Sequence, residues 1–144
     1  MIARPLTFSV LAAWLLAACG KPVPSVPVSP PVVTLPASYL TISPQDAAQL
    51  IAREPLLGIL DVRDASERQD GRGWIAGSRS CPFFSDYRPV LSGLDRKQPW
   101  LVYCAIGGRA EQTAATMAGL GFQQVYLLKG GFNAWVAEGQ KVEK

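Results

Sequence analysis

The residues best placed for chemistry stand in the stretch WLVYCAIGGRAEQTAA, residues 100–115. Cys104 ends an apolar run, and Arg109 opens a strong helix-forming segment. Between them Ala105, Ile106, Gly107 and Gly108 must turn the chain sharply. Glycine permits positive φ and lets the backbone come close to a ligand. Successive N–H groups in such a turn can point inward and form an anion nest. The helix N-terminus adds partial positive charge, and Arg109 adds a full charge with a planar set of donors. A sulfur anion on Cys104 would be stabilised there, which suits a nucleophile with no histidine beside it. The same position also suits a small buried residue at the end of a strand.

The bulk composition narrows the field. The chain has 144 residues and no histidine, which excludes Cys–His proteases, Ser–His–Asp hydrolases and His-ligated metal sites. Its three cysteines, Cys19, Cys81 and Cys104, lack metal-ligand spacing, so no metal or cofactor is implied. The formal net charge of +3 is mild and its basic residues are scattered, so no nucleic-acid partner is expected. Hydrophobic residues at 49% supply an ample core for one domain, and charged residues at 17% are too few for a disordered chain.

Strands alternating with helices must position the loop. Residues 39–54 read as a short strand and a helix, with Ser43 as N-cap, Pro44 at the first turn and Ala47, Leu50 and Ile51 on its apolar face. LLGILDVRD is a buried strand ending at Asp61. ASERQDGRGWIAGS reads as a short helical turn and then a loop, SRSCPF as a short strand, and residues 84–99 as a Pro-broken helix and turn. WLVYC and QQVYLL are further strands, the helix between them stops at Gly121, and GFNAWVAEG is a last short helix. Apolar runs without polar alternation suit a parallel sheet covered on both faces. Ligands bind such sheets at the carboxyl ends of strands, where Asp61 and Cys104 both fall.

Two segments precede this domain. Residues 1–18 carry one early charge, Arg4, and an apolar run from Leu6 to Ala18. That run falls short of the ~20 residues that span a bilayer, and reads as an export signal. The sequence Leu16-Ala17-Ala18-Cys19 resembles a bacterial lipoprotein signal. The resemblance implies cleavage before Cys19, a diacylglycerol thioether on its sulfur, and acylation of the new amine, with palmitate among the expected chains. Two or three acyl chains anchor stably where one is marginal. Gly20 rather than aspartate after Cys19 favours, by the same resemblance, the outer over the inner membrane, facing the periplasm. Residues 19–38 are Pro-rich and favour extended polyproline II, a tether of up to ~60 Å. The folded domain is expected over residues 39–144.

From about Tyr39 to Glu138 the chain resembles a rhodanese-homology domain. CAIGGRA fits that family's C-x-x-G-x-R loop at Cys104, Gly107 and Arg109. LLGILDVRDASE resembles its strand ending in D-V-R, here Asp61, Val62 and Arg63. GWIAGS resembles its G-H-I-P-G-A turn, and LKGGFNAW its ending at Leu128, Gly130, Gly131 and Trp135. The resemblance implies a five-stranded parallel sheet with helices on both faces. It also implies a thiosulfate sulfurtransferase-like enzyme: Cys104 takes a sulfane sulfur from a small donor, becomes a persulfide, and passes the sulfur to a thiol or cyanide-like acceptor. The N–H groups from Ala105 through Ile106, Gly107 and Gly108 to Arg109 would cradle the outer sulfur. Asp61 and Arg63 would brace the rim. The loop has four residues between cysteine and arginine, one fewer than in phosphatases of this and other folds, which disfavours phosphate ester hydrolysis.

Departures from the family pattern leave alternatives. Trp74 stands where the family usually has histidine, and ERQDGRGW is about two residues longer than the common spacing. Cys81 follows in the next strand, either as a small buried residue or as a resolving thiol that forms a disulfide with Cys104. Exported compartments are oxidising. The competing readings are therefore a thiol-redox protein cycling that disulfide and a non-catalytic module that binds a protein partner at the membrane.

Overall fold

The computed structural model describes residues 38–144. Cys19, the signal segment and nearly all of the Pro-rich segment lie outside the described residues. The strands are β1 (Leu40–Ile42), β2 (Gly58–Asp61), β3 (Arg79–Ser80), β4 (Trp100–Tyr103) and β5 (Val125–Leu128). The helices are α1 (Pro44–Arg53), α2 (Ala65–Arg68), α3 (Tyr87–Ser92), α4 (Gly108–Gly119) and α5 (Gly131–Ala137). All strand pairs are parallel, in the order β1-β5-β4-β2-β3. This is the five-stranded parallel sheet expected from the sequence.

Alternate residues of each strand face opposite sides. Leu60, Val62, Val102 and Leu127 pack with Leu91 of α3 and Ala110, Ala114 and Met117 of α4. Ile59, Leu101, Tyr103 and Leu128 pack with Ala47 of α1 and Phe132 and Trp135 of α5. The central strands β2 and β4 are buried along their whole length, which accounts for their unbroken apolar sequence. Helix boundaries follow local chemistry. Ser43 Oγ accepts the Asp46 N–H at 3.1 Å and caps α1. Beyond α4, Gly121 adopts φ +86°, and the N–H groups of Gly121 and Phe122 return to the carbonyls of Ala118 and Met117. That is a Schellman closure, with Phe122 buried behind it.

The register sets the site. Asp61 pairs with Tyr103 on one side and with Ser80 on the other. The next residues, Val62, Cys104 and Cys81, therefore line up across three adjacent strand ends.

Candidate active site

Cys104 leaves β4 and enters a tight turn to α4. Gly107 adopts φ +121°, a conformation that side chains rarely reach, and places its own N–H 3.1 Å from Cys104 Sγ. Gly107 is also the N-cap of α4, and it brings no side-chain oxygen to the helix end. Helix geometry leaves the N–H groups of Gly108, Arg109 and Ala110 without intrahelical acceptors. Serine caps α1, but the end of α4 that overlooks the cysteine is left open to an anion. Cys104 itself is only 1% exposed and belongs to the buried cluster that also holds Val62, Cys81 and Ala110.

The start of α5 holds the other side of the turn. Phe132 N–H donates to the Cys104 carbonyl at 2.7 Å, and Asn133 N–H to the Ala105 carbonyl at 3.0 Å. Those bonds hold the Cys104 and Ala105 carbonyls toward α5, and on the sulfur side the Gly107 N–H meets Sγ. Gly131 makes the approach possible, since a Cβ there would clash with the Cys104 carbonyl oxygen. The glycine pair Gly130–Gly131 thus serves the cysteine loop as well as the strand-to-helix turn.

Arg109 reaches sideways to the segment after β2. Its guanidinium donates to Glu67 Oε2 at 2.6 Å, to Glu67 Oε1 at 2.8 Å and to Asp64 Oδ2 at 3.1 Å. Sequence reasoning missed both carboxylates. Their D-x-x-E spacing is a helix N-terminus signal, and Asp64 N–H does bond to Glu67 Oε2 at 3.0 Å, but nothing local links them to Arg109. The Arg109 hydrogen bonds, with smaller help from the Asp64 N–H and nearby charges, hold the Glu67 carboxyl down at about 2, from an ordinary 4.5. Glu67 in turn pushes the Arg109 guanidinium up.

This pair carries a pH signature. Its stabilisation is complete above pH 4.5 and fades as pH falls toward 2, because over that interval the unfolded chain takes up a proton that the folded chain resists. Glu67→Gln should remove the dependence. Urea unfolding at pH 7 and pH 3 should show a larger loss of stability on acidification for the wild type than for the variant. Equal losses would contradict the assignment.

Asp61 and Arg63 lie beneath the rim rather than on it, each 1% exposed. Asp61 Oδ2 accepts from Arg63 Nη2 at 2.7 Å, Arg68 Nη1 at 3.1 Å and the Tyr103 hydroxyl at 2.8 Å. Arg63 continues to the Gly73 carbonyl at 3.0 Å and lies 4.0 Å over the Phe132 ring. Burial opposes the Arg63 charge, but the hydrogen bonds and charge of Asp61 outweigh it. Burial, with the Asp61 charge, pushes the Tyr103 hydroxyl up. The network therefore locks β2, β4, the Gly73–Trp74 turn and α5 together under the loop. Trp74, at the family's histidine position, donates from Nε1 to Glu143 Oε2 at 3.0 Å and lies under the Arg68 guanidinium.

Cys81 and Cys104 are both free thiols. Their residues flank Val62 on opposite sides, two strand spacings or ~10 Å apart at Cα. A disulfide needs ~7 Å or less, so the two thiols do not bridge in this geometry. Cys81 is buried, which pushes its thiol up, partly offset by Arg79.

Comparison with known proteins agrees with this architecture. The rhodanese-like domain family model matches residues 43–138. The thiosulfate sulfurtransferase GlpE of Ectopseudomonas mendocina is 34% identical over 99 residues, covering 69% of this chain and 86% of its own. GlpE of Actinobacillus pleuropneumoniae is 30% identical over 109 residues, covering 74% and 94%. Among solved structures, a rhodanese-related protein from Thermoplasma volcanium superposes with a TM-score of 0.64 at 30% identity, covering 73% of this chain and 98% of its own. The polysulfide-sulfur transferase homodimer of Wolinella succinogenes gives 0.62 at 28% identity, covering 75% and 80%. With the family model spanning most of the described domain and the parallel sheet ending in a glycine-hinged cysteine loop, this chain belongs to the rhodanese-like domain family.

Proposed function

We propose that this chain is an exported, membrane-tethered sulfurtransferase that carries a sulfane sulfur as a persulfide on Cys104. One observation carries the reading: Cys104 Sγ accepts the Gly107 N–H at 3.1 Å, beneath a helix end with no side-chain cap. The Cys104 thiolate attacks the outer sulfur of thiosulfate, the S–S bond breaks, and its electron pair leaves on sulfite. Cyanide or a thiolate then attacks the outer sulfur of the persulfide, and the electron pair returns to Cys104. Neither step is a net oxidation or reduction of the protein. The terminal sulfur carries the negative charge between the steps, and the N–H groups of Gly107, Gly108, Arg109 and Ala110 are the donors available to it. Arg109 holds the loop through Glu67 and Asp64.

A lipid on Cys19 and a periplasm-facing location, at the outer membrane before the inner, complete the proposal. The described chain enters at the N-terminal end of β1, whereas the loop lies beyond the C-terminal end of β4 in the same parallel sheet.

A covalent intermediate has a kinetic mark. With thiosulfate and cyanide varied together, double-reciprocal plots should be parallel, as for a ping-pong reaction. Intersecting lines would mean that both substrates bind before sulfur moves, and would overturn the persulfide route.

A further inference from the structure

Two large apolar side chains stand in water beside the loop: Ile106 is 73% exposed and Phe84 75% exposed. They come from different segments. Ile106 is in the loop, and the Phe84 ring lies 5.8 Å from the Arg109 guanidinium carbon. Phe84 is also firmly based, edge-on to Phe83 at 5.4 Å, and Phe83 is stacked on Tyr87 at 5.2 Å. The guanidinium beside Phe84 is already paired: Arg109 meets Asp64 and Glu67, and Arg68 on the same segment meets Asp61.

We propose that Phe84 and Ile106 form an apolar lip selecting the sulfur acceptor, and that this acceptor is a cysteine thiol within an apolar, uncharged polypeptide segment. The proposal rests on the sulfurtransferase reading and names its acceptor. Aromatic side chains on a firm base are favoured anchors at protein interfaces. A small anion would gain nothing from either side chain, and the paired arginines offer it no net charge. A persulfide on Cys104 would set the transferable sulfur one S–S bond, ~2 Å, beyond Sγ, among the N–H groups of the loop. The peptide thiolate attacks that outer sulfur, the S–S bond breaks, and its electron pair returns to Cys104. The products are a peptide persulfide and the resting thiolate, with no net redox change.

The test loads the full chain with thiosulfate, removes excess donor, and measures second-order discharge by three acceptors. These are cyanide, a cysteine peptide flanked by leucine and valine, and the same peptide flanked by aspartate and glutamate. The apolar peptide should outrun the acidic one. Phe84→Ser should lower the ratio of apolar-peptide rate to cyanide rate about tenfold, or about 1.4 kcal/mol. Phe84→Leu should keep most of that ratio, which a merely structural role for the ring would not predict. An unchanged ratio in Phe84→Ser, or an acidic peptide as fast as the apolar one, overturns the lip and leaves sulfur transfer standing. A wild-type chain that takes no sulfur from thiosulfate and passes none to cyanide overturns the underlying reading, and the lip with it.

Discussion

Cys104→Ser should lower thiosulfate:cyanide transfer by at least about a thousandfold while the domain stays folded, because the proposed route loses its covalent carrier. A serine hydroxyl at the same position can still accept the Gly107 N–H that Sγ accepts at 3.1 Å. The substitution should therefore cost only about 1 kcal/mol of stability. The oxygen cannot hold a sulfane sulfur at neutral pH, so the N–H groups are left with nothing to stabilise. Cys81→Ser is the natural control. Cys81 is buried two strands away across Val62, and its loss should leave transfer near the wild-type rate. Transfer assays beside thermal melts separate loss of chemistry from loss of fold. Residual activity in Cys104→Ser above a tenth of wild type, or a collapse in Cys81→Ser without unfolding, would contradict the assignment.

The second large effect is on stability and falls at Gly131. Its φ of +62° already excludes most side chains, and a Cβ would clash with the carbonyl oxygens of Cys104 and Ala105. Both are backbone atoms of the reactive loop and cannot rotate away. Alanine must push α5 off the loop and so weaken the bonds from Phe132 and Asn133, now 2.7 and 3.0 Å. Left-handed strain of ~1 kcal/mol, the steric shift and two weakened hydrogen bonds together point to a loss of about 3 kcal/mol. For a domain of this size that lowers Tm by roughly 12 to 20 °C. Gly139 isolates the conformational part: its φ is +71°, but a Cβ there meets nothing within 4 Å. Gly139→Ala should cost only ~1 kcal/mol. Equal melting temperatures for the two variants would show that contact with the cysteine loop is not what requires glycine at 131.

The sheet was legible because β2, β4 and β5 are continuous apolar runs, and only strands buried on both faces can afford them. The end of α4 was legible for a local reason, the positive φ at Gly121. What could not be read depends on strand neighbours. Sequence puts Asp61 and Cys104 at strand ends, but only the β4-β2-β3 order shows Val62 between the two cysteines. Arg109 stands 42 residues from Glu67, and no spacing rule joins them. Asp61 and Arg63 look like rim residues until Tyr103, which reads simply as part of an apolar strand, is seen to donate to Asp61 from the next strand. Phe84 gave no signal of exposure, since the sequence does not show that Phe83 and Tyr87 beside it are the ones packed against the core. The turn at Gly130–Gly131 was recognisable, but the reason for it lay in the carbonyl it faces.

Intact-mass spectrometry of the thiosulfate-treated protein, followed by peptide mapping, tests the central assignment most directly. One sulfur atom gained, mapped to Cys104 and removed by cyanide, is the expected result. A protein that gains no sulfur, or gains it on Cys81, would contradict it.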